Sequence, residues 1–364
     1  MNGPEVARAA DERWMAAAIR LSSRHVGLTA DNPSVGAIIV APDGRVVGRG
    51  VTAPGGRPHA ERVALAQAGS AAHGATAYVT LEPCAHHGRS PPCAEALIEA
   101  GIARVIFAAS DPDPRVDGRG AAMLRAADVE VEQCPAGTEG ERPFEGFLSR
   151  LRLARPFVTL KMAVSADGFV GRVGEGQVAI SGSIARRQTH LLRAENDAIL
   201  IGAGTALADR PLLTCRLPGL ESRSPRRIVL DRRLRLPLDH PLVETAGLVP
   251  TLIATGETEA ARLDPFKAKG CTILPLTEGG LGDFLASLVP LGISSLLLEG
   301  GPLLAEAFLR ADLVDRVVSV RSERAIGGPG IPVPAQLASF GGFTPERSEE
   351  FGPDRWVEWK RTRV

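Results

Sequence analysis

Four side chains in the first third of this 364-residue chain could do chemistry together: His59 and Glu61 in Pro58-His59-Ala60-Glu61, Cys84 after Pro83, and Cys93 after Pro91-Pro92. One imidazole and two thiolates are soft or borderline donors, and such a set suits zinc. Three protein ligands leave the fourth tetrahedral position to water, whose pKa falls toward about 7 on the metal, so the pattern predicts a hydrolytic centre. Glu61 is the predicted proton carrier of that centre. Residues two apart diverge in a regular helix, so His59 and Glu61 cooperate only in the first turn of a helix. Pro92 predicts a helix starting near Cys93, whose free N–H groups would favour a thiolate at Cys93. Two other readings remain open: a closed structural zinc with His86 or His87 as fourth ligand, which leaves Glu61 idle, or two buried thiols without a ligand. Cys134, Cys215 and Cys271 stand apart from any such company and are expected in cores.

The elements that must position these groups follow from periodicity. Residues 5–23 read as an amphipathic helix, 35–40 as an apolar strand, and Asp43-Gly44 as a hairpin turn into a strand over 45–51. A helix from about His59 to Gln67, a strand over 77–81, a helix over 92–100 closed by Gly101, and a strand over 104–109 complete an α/β layer. Periodicity fails over Cys134–Arg142 and places a boundary there, with a connecting helix over 144–153. Strands expected at 157–164, 227–230, 248–255 and 294–298 make the second half α/β as well. The expected domains are 1–143, a linker helix over 144–156, and 157–364.

Composition narrows the function classes. At roughly 100–200 residues per domain, this length predicts two domains. Hydrophobic residues at 44% and charged residues at 23% are ordinary for a globular chain, and 42 basic against 42 acidic residues leave no footprint for nucleic acid. Five cysteines are too few for a secreted disulfide scaffold, no apolar run is long enough to cross a membrane, and the N-terminus lacks a signal-peptide core. A cytoplasmic protein acting on a small molecule is expected.

His-x-Glu followed by two proline-flanked cysteines is the pattern of zinc deaminases, in which the carboxylate carries the proton to departing ammonia. Here eight residues, 85–92, separate the cysteines rather than two. Together, Asn32-Pro33-Ser34-Val35-Gly36, Pro58-His59-Ala60-Glu61 and Pro83-Cys84-Ala85-His86-His87-Gly88-Arg89-Ser90-Pro91-Pro92-Cys93 resemble the bifunctional deaminase-reductase family of riboflavin biosynthesis. The resemblance runs on through Thr159-Leu160-Lys161-Met162-Ala163-Val164-Ser165-Ala166-Asp167-Gly168. It implies a cytidine-deaminase-like α/β/α sandwich followed by a dihydrofolate-reductase-like α/β domain, with Zn2+ in the first and NADPH in the second. The implied substrate is a phosphorylated ribosylaminopyrimidine, deaminated and then reduced at the ribose, and a homo-oligomer is expected. By this resemblance Asn32, His86 and Arg89 line the pyrimidine pocket. Thr52 departs from the family, which has a histidine there.

In the second half, Leu298-Glu299-Gly300-Gly301-Pro302-Leu303 reads as strand, Gly-rich turn and helix start, and Ile201-Gly202-Ala203-Gly204-Thr205 as a second such turn. Two of them suit an extended dinucleotide. The resemblance assigns Ala163, Ala179, Thr205, Asp209, Gly301, Pro302 and Leu303 to the cofactor. It assigns Gln177, Arg193, Leu213, Arg216 and Glu299 to the substrate, the arginines pairing with phosphate. Lys161 is expected to polarise the group that accepts hydride, and Asp167 to fix the Asp-Gly turn. A second departure lies at 176–181, where Ala179 stands in the place of a family tryptophan, so a deaminase with an impaired reductase is the rival enzyme reading. A nucleic-acid-editing module is the rival from another class.

Overall fold

The strand Gly36–Val40, GAIIV, is apolar at every position, which suits a strand covered on both faces. The computed structural model, which describes residues 3–88, 91–337 and 340–362, shows that arrangement. The chain forms two compact units, residues 1–154 and 155–364.

In the first unit the elements run α1 (Gly3–Ser22), β1 (Gly36–Val40), β2 (Val46–Val51), α2 (Ala60–Ala68), β3 (Thr76–Leu81), α3 (Cys93–Glu99), β4 (Arg104–Ala109), α4 (Arg119–Ala126), β5 (Glu130–Gln133), α5 (Gly137–Glu141) and α6 (Glu145–Leu153). The sheet order is β2-β1-β3-β4-β5, antiparallel around β1 and parallel from β3 to β5. Strand period two splits β1: Ile38 and Val40 pack with Met15 and Ala18 of α1, while Ala37 and Ile39 pack with Ala60 and Ala64 of α2 and Leu97 of α3. The result is an α/β/α sandwich. Phe144 and Leu148, in and beside α6, belong to the second of these cores. The segment 134–142, which lacks periodicity, contains α5, a helix of five residues and too short to express a helical period.

In the second unit β6 (Phe157–Val164), β7 (Phe169–Arg172), α7 (Ser183–Ala194), β8 (Ala198–Gly202), α8 (Ala203–Asp209), β9 (Arg226–Leu230), α9 (Pro241–Glu244), β10 (Thr251–Thr255), α10 (Ala260–Ala268) and β11 (Thr272–Pro275) come first. They are followed by α11 (Gly280–Leu288), β12 (Ser295–Leu298), α12 (Pro302–Arg310), β13 (Arg316–Arg321), β14 (Gly330–Pro332), β15 (Phe343–Phe351) and β16 (Asp354–Arg361). Nine strands form one sheet in the order β11-β10-β9-β8-β12-β6-β13-β16-β15, with β16 alone running against the others, and β14 pairs with β7. Leu160, Leu200 and Leu298 face α11 and α12 on one side; Ile199, Ile201 and Leu297 face α8, α9 and α10 on the other. The strand expected from 248 begins only at Thr251: Pro250 cannot donate to the ladder, and Leu248 is 84% exposed.

Gly50 on β2 shows how closely α2 must approach the sheet. A Cβ there would lie 2.1 Å from the Ala60 carbonyl oxygen, backbone that cannot swing aside. Gly50→Ala is expected to cost about 1–3 kcal/mol of stability in the first unit, through overpacking. Because the contact falls at the first residue of α2, the activity of the centre that includes His59 should fall while that of the second unit is spared; denaturant titration and separate assays of the two units check this.

Candidate functional site

α2 begins at Ala60, with His59 as its extended N-cap residue (φ −68°, ψ 159°) and Glu61 in its first turn. The helix therefore starts between the two residues, as their cooperation requires. Cys84 lies just beyond β3, and Cys93 is the first residue of α3 after Pro92. His59 Nδ1 is 3.7 Å from Cys84 Sγ and 3.4 Å from Cys93 Sγ, and the three donor atoms all lie within 4.8 Å of one another. A tetrahedral zinc with S and N bonds of about 2.3 and 2.0 Å has N···S edges of about 3.5 Å, so the donor set fits that ion.

Neither neighbouring histidine joins this group among the described residues: His87 Nε2 pairs instead with Glu95 at 3.2 Å, and His86 lies apart with a buried, unpartnered Nδ1. A closed four-ligand site is therefore not built here, and Glu61 is not idle. Its carboxyl is 4% exposed, and burial, followed by the Cys84 charge, pushes it up to about 6. The helix N–H expected to favour a thiolate at Cys93 serves Cys84 instead: Cys93 N donates to Cys84 Sγ at 3.3 Å. A first-turn N–H points away from its own side chain, back toward the preceding loop. The Cys84 thiol is accordingly drawn down to about 4 by the Cys93 thiol, His59 and that N–H, while Cys93 is pushed up by sharing the proton.

Two supports of this centre had no signal in the spacing. Glu82, buried one residue before Pro83-Cys84, accepts from Gly118 N and Ala121 N, both at 3.1 Å, and so ties the cysteine loop to the start of α4. Gly120 allows the approach, since a Cβ there would sit 1.9 Å from the Pro83 oxygen. Asp111, pushed up to about 6 by burial, accepts from Asp113 N, and Asp113 is held down near 2 by its bonds to Arg115. Repeated Asp-Pro pairs at 111–114 signal a turn, and nothing more local separates them from any loop.

Asn32 sits over Gly56, whose hypothetical Cβ would meet its Nδ2 at 2.2 Å, and Gly55 N donates to Leu28 O at 2.8 Å. The loop carrying Asn32 therefore meets the loop leading to His59. Thr52, 1% exposed, does not stand in for an imidazole: its Oγ1 accepts from Val35 N, and its carbonyl contacts His25 Nδ1 at 2.7 Å. Arg89 lies outside the described residues.

In the second unit the two Gly-rich turns meet, with Gly301 N donating to Thr205 Oγ1 at 2.9 Å. A Cβ on Gly301 would lie 2.9 Å from that Oγ1, so glycine lets the two turns touch at the start of α12, and a helix N-terminus suits a phosphate. Pro302 opens α12 and Leu303 is 83% exposed beside it. Asp209 ends α8, its carboxyl pushed up by burial, and a Cβ on Gly176 would lie 2.9 Å from Ala208 O. The segment with Gln177 and Ala179, both exposed, thus packs against the end of α8.

Lys161 and Ala163 lie on one face of β6, two residues apart. Arg193, expected to pair with phosphate, pairs with Glu299 through two bonds of 2.8 Å and donates a third to Thr214 O at 3.1 Å. Burial lifts the Glu299 carboxyl, but Arg193 and Lys161 outweigh it and hold the group below its usual range. Arg216 is exposed, whereas Leu213 is buried in the core with Ile199 and Val229 at φ +56°, so its contribution is to backbone shape. Asp167 accepts from Ser165 Oγ, Ile326 N and Gly327 N, which fixes the turn.

The family model of the cytidine and deoxycytidylate deaminase zinc-binding region matches residues 8–109, and that of the RibD C-terminal domain matches residues 156–357. The riboflavin biosynthesis protein RibD of Escherichia coli is 39% identical over 363 residues, covering 94% of this chain and 97% of that protein. The chain belongs to the RibD family. The RibD of Aquifex aeolicus is 38% identical over 320 residues, 88% of this chain and 89% of its own. Acinetobacter baumannii RibD, a solved structure, superposes with a TM-score of 0.87 at 33% identity, covering 98% of this chain and 100% of that one. The Thermotoga maritima diaminohydroxyphosphoribosylaminopyrimidine deaminase/5-amino-6-(5-phosphoribosylamino)uracil reductase gives 0.85 at 32%, covering 98% and 99%.

As a RibD, this protein is a bifunctional enzyme of riboflavin biosynthesis, a zinc-dependent hydrolytic deaminase joined to an NADPH-dependent reductase. Nothing in the fold of the second half favours an impaired reductase, despite Ala179. Glu82→Ala is expected to leave two helix N–H groups unpaired beside the cysteine loop, costing about 1–3 kcal/mol. In RibD terms the consequence is weaker zinc retention, by roughly tenfold or more, measured by competition with a chromophoric chelator.

Proposed function

We propose that this RibD converts 2,5-diamino-6-(5-phosphoribosylamino)pyrimidin-4-one first by hydrolytic loss of an amino group as ammonia, then by reduction of the ribosyl group to ribityl. The observation that carries the first step is the donor triangle of His59, Cys84 and Cys93, with Glu61 buried in the adjoining helical turn. Zinc, when bound there, supplies an activated water near neutral pH. With zinc held by His59, Cys84 and Cys93, Glu61 would carry one proton of the water to the ring nitrogen and the other to the leaving amine; a carboxyl near 6 suits both transfers. Asn32 and His86 orient the pyrimidine, and Arg89 answers the phosphate.

For the second step, NADPH supplies the reducing equivalents. The backbone at Gly301, Pro302 and Leu303, together with Thr205 and Asp209, holds it, with Ala163 and Ala179 beside the nicotinamide. Lys161 polarises the accepting ribosyl group, Glu299 is oriented by Arg193, and Gln177, Leu213 and Arg216 shape the substrate end. With Arg193 already paired to Glu299, Arg216 is the arginine left for phosphate.

Residues 1–154 are read as the deaminase and 155–364 as the reductase. No described helix is long and apolar enough to cross a membrane. Zero net charge and five free cysteines support a small-molecule enzyme of a reducing cytoplasm rather than a nucleic-acid binder. The homo-oligomer is part of this reading, and light scattering measures it.

The test follows NADPH oxidation by zinc-loaded protein given the diaminopyrimidinone ribosyl phosphate, beside Glu61→Ala given that compound or its deaminated product. Wild type should oxidise NADPH with either, and Glu61→Ala only with the deaminated product. Chelation should reproduce the Glu61→Ala pattern. Ammonia release with NADPH untouched even on the deaminated product would sink the reductase reading. Arg216→Ala should raise the reductase KM by roughly tenfold or more with little change in kcat, since a charge-assisted bond to phosphate acts on binding.

A further inference from the structure

Residues 211–216 belong to no helix or strand, yet they carry Leu213 and Arg216, both read above as substrate residues. Backbone without a ladder must find its hydrogen bonds elsewhere when it is buried. Side chains supply them here. Leu212 O accepts from Arg227 at 3.4 Å, and Cys215 N donates to Ser224 Oγ at 3.1 Å, with the Cys215 side chain buried. Leu213 itself faces the core at φ +56°.

Thr214 lies between those anchors, and its carbonyl takes two bonds from a single helix. His190 Nδ1 is 3.2 Å from Thr214 O, and Arg193 donates to the same oxygen at 3.1 Å. A carbonyl only accepts, so the His190 proton sits on Nδ1. His190 and Arg193 are three residues apart in α7, which puts them on one face of the helix. Arg193 is itself fixed, because two more of its bonds go to Glu299. Arg216 follows two residues beyond Thr214 and is exposed, so α7 sets the point from which its side chain departs.

The charged groups acting on His190 are Arg193, Arg216 and Glu299. Burial, then Arg193 and Arg216, hold its pKa below the usual range, against the Thr214 bond and Glu299. The ring is therefore neutral near pH 7, with its one donor spent on Thr214, and it brings no charge of its own to a phosphate. Its task is geometric.

We propose that His190 is a positioning residue for the reductase substrate: together with Arg193 it holds the Thr214 carbonyl, and so sets where Arg216 meets the phosphate. This rests on the reading of Arg216 given above. Without the imidazole bond Thr214 keeps only Arg193, and the stretch from Leu213 to Arg216 gains freedom that substrate binding must remove. That loss falls on KM rather than on kcat.

The experiment uses the full chain with NADPH and the deaminated substrate. It measures kcat and KM for wild type, His190→Leu, His190→Asn, Arg216→Ala and the double variant His190→Leu with Arg216→Ala. Asparagine places its amide nitrogen where Nδ1 stands and keeps the bond; His190→Ala is a second donorless variant should leucine disturb folding. His190→Leu should raise KM by roughly three- to tenfold with kcat little changed, and His190→Asn should restore it. In the double variant KM should equal that of Arg216→Ala, because two residues acting through one contact are not additive. An unchanged KM in folded His190→Leu, or no recovery in His190→Asn, overturns the proposal, and a raised KM in Arg216→Ala then shows that the reading beneath it survives. The same fold-rise on both backgrounds also overturns it, since His190 then acts on something other than Arg216. If Arg216→Ala leaves KM unmoved, the reading of Arg216 fails and the proposal with it.

Discussion

A sheet covered on both faces leaves polar side chains few places to work, and both halves of this protein are organised by that constraint. β1 and β3 are buried along nearly their whole length, as are β8 and β12. Chemistry is consequently confined to the loops and helix starts at strand ends. Cys84 leaves β3, Thr205 follows β8, and Glu299 follows β12. Lys161 is the exception: it sits within β6 on a face that α7 covers, and the Glu299 carboxylate counters its charge there.

The two sites use helix starts differently. In the first unit the N–H of Cys93 is spent on Cys84 Sγ, so the helix stabilises a ligand rather than a substrate. In the second, Gly301 N reaches Thr205, and the two Gly-rich turns meet at the start of α12, a place that suits a phosphate. A buried carboxylate fastened to a helix start recurs as the means of fixing geometry: Glu82 at α4 and Asp354 at α7. Glu82 holds the cysteine loop against α4, and Asp354 holds the segment that leads into α7.

Edge control completes the second sheet. β15, FTPERSEEF, carries charges along an exposed edge and shifts register between Pro345 and Arg347, which discourages pairing with another chain. Its two-residue turn, Gly352-Pro353, with Gly352 at φ +68°, delivers Asp354 to the start of β16. The edge hairpin thereby fixes the start of α7, although nothing in its composition suggests it.

The sequence alone determined what local patterns encode. The zinc donors, a helix start near His59, the helix at Cys93 and the α/β class of both halves follow from spacing, proline placement and hydrophobic period, which are properties of neighbouring residues. The tertiary structure decided which cysteine takes the helix N–H, that Arg193 pairs with Glu299, that Leu213 faces the core, and that Glu82 and Asp354 fasten the starts of α4 and α7. These depend on partners 9 to 172 residues away in the chain. No local pattern carries such pairings; they come into existence when strand register sets which side chains share a face and which helix starts lie beside them.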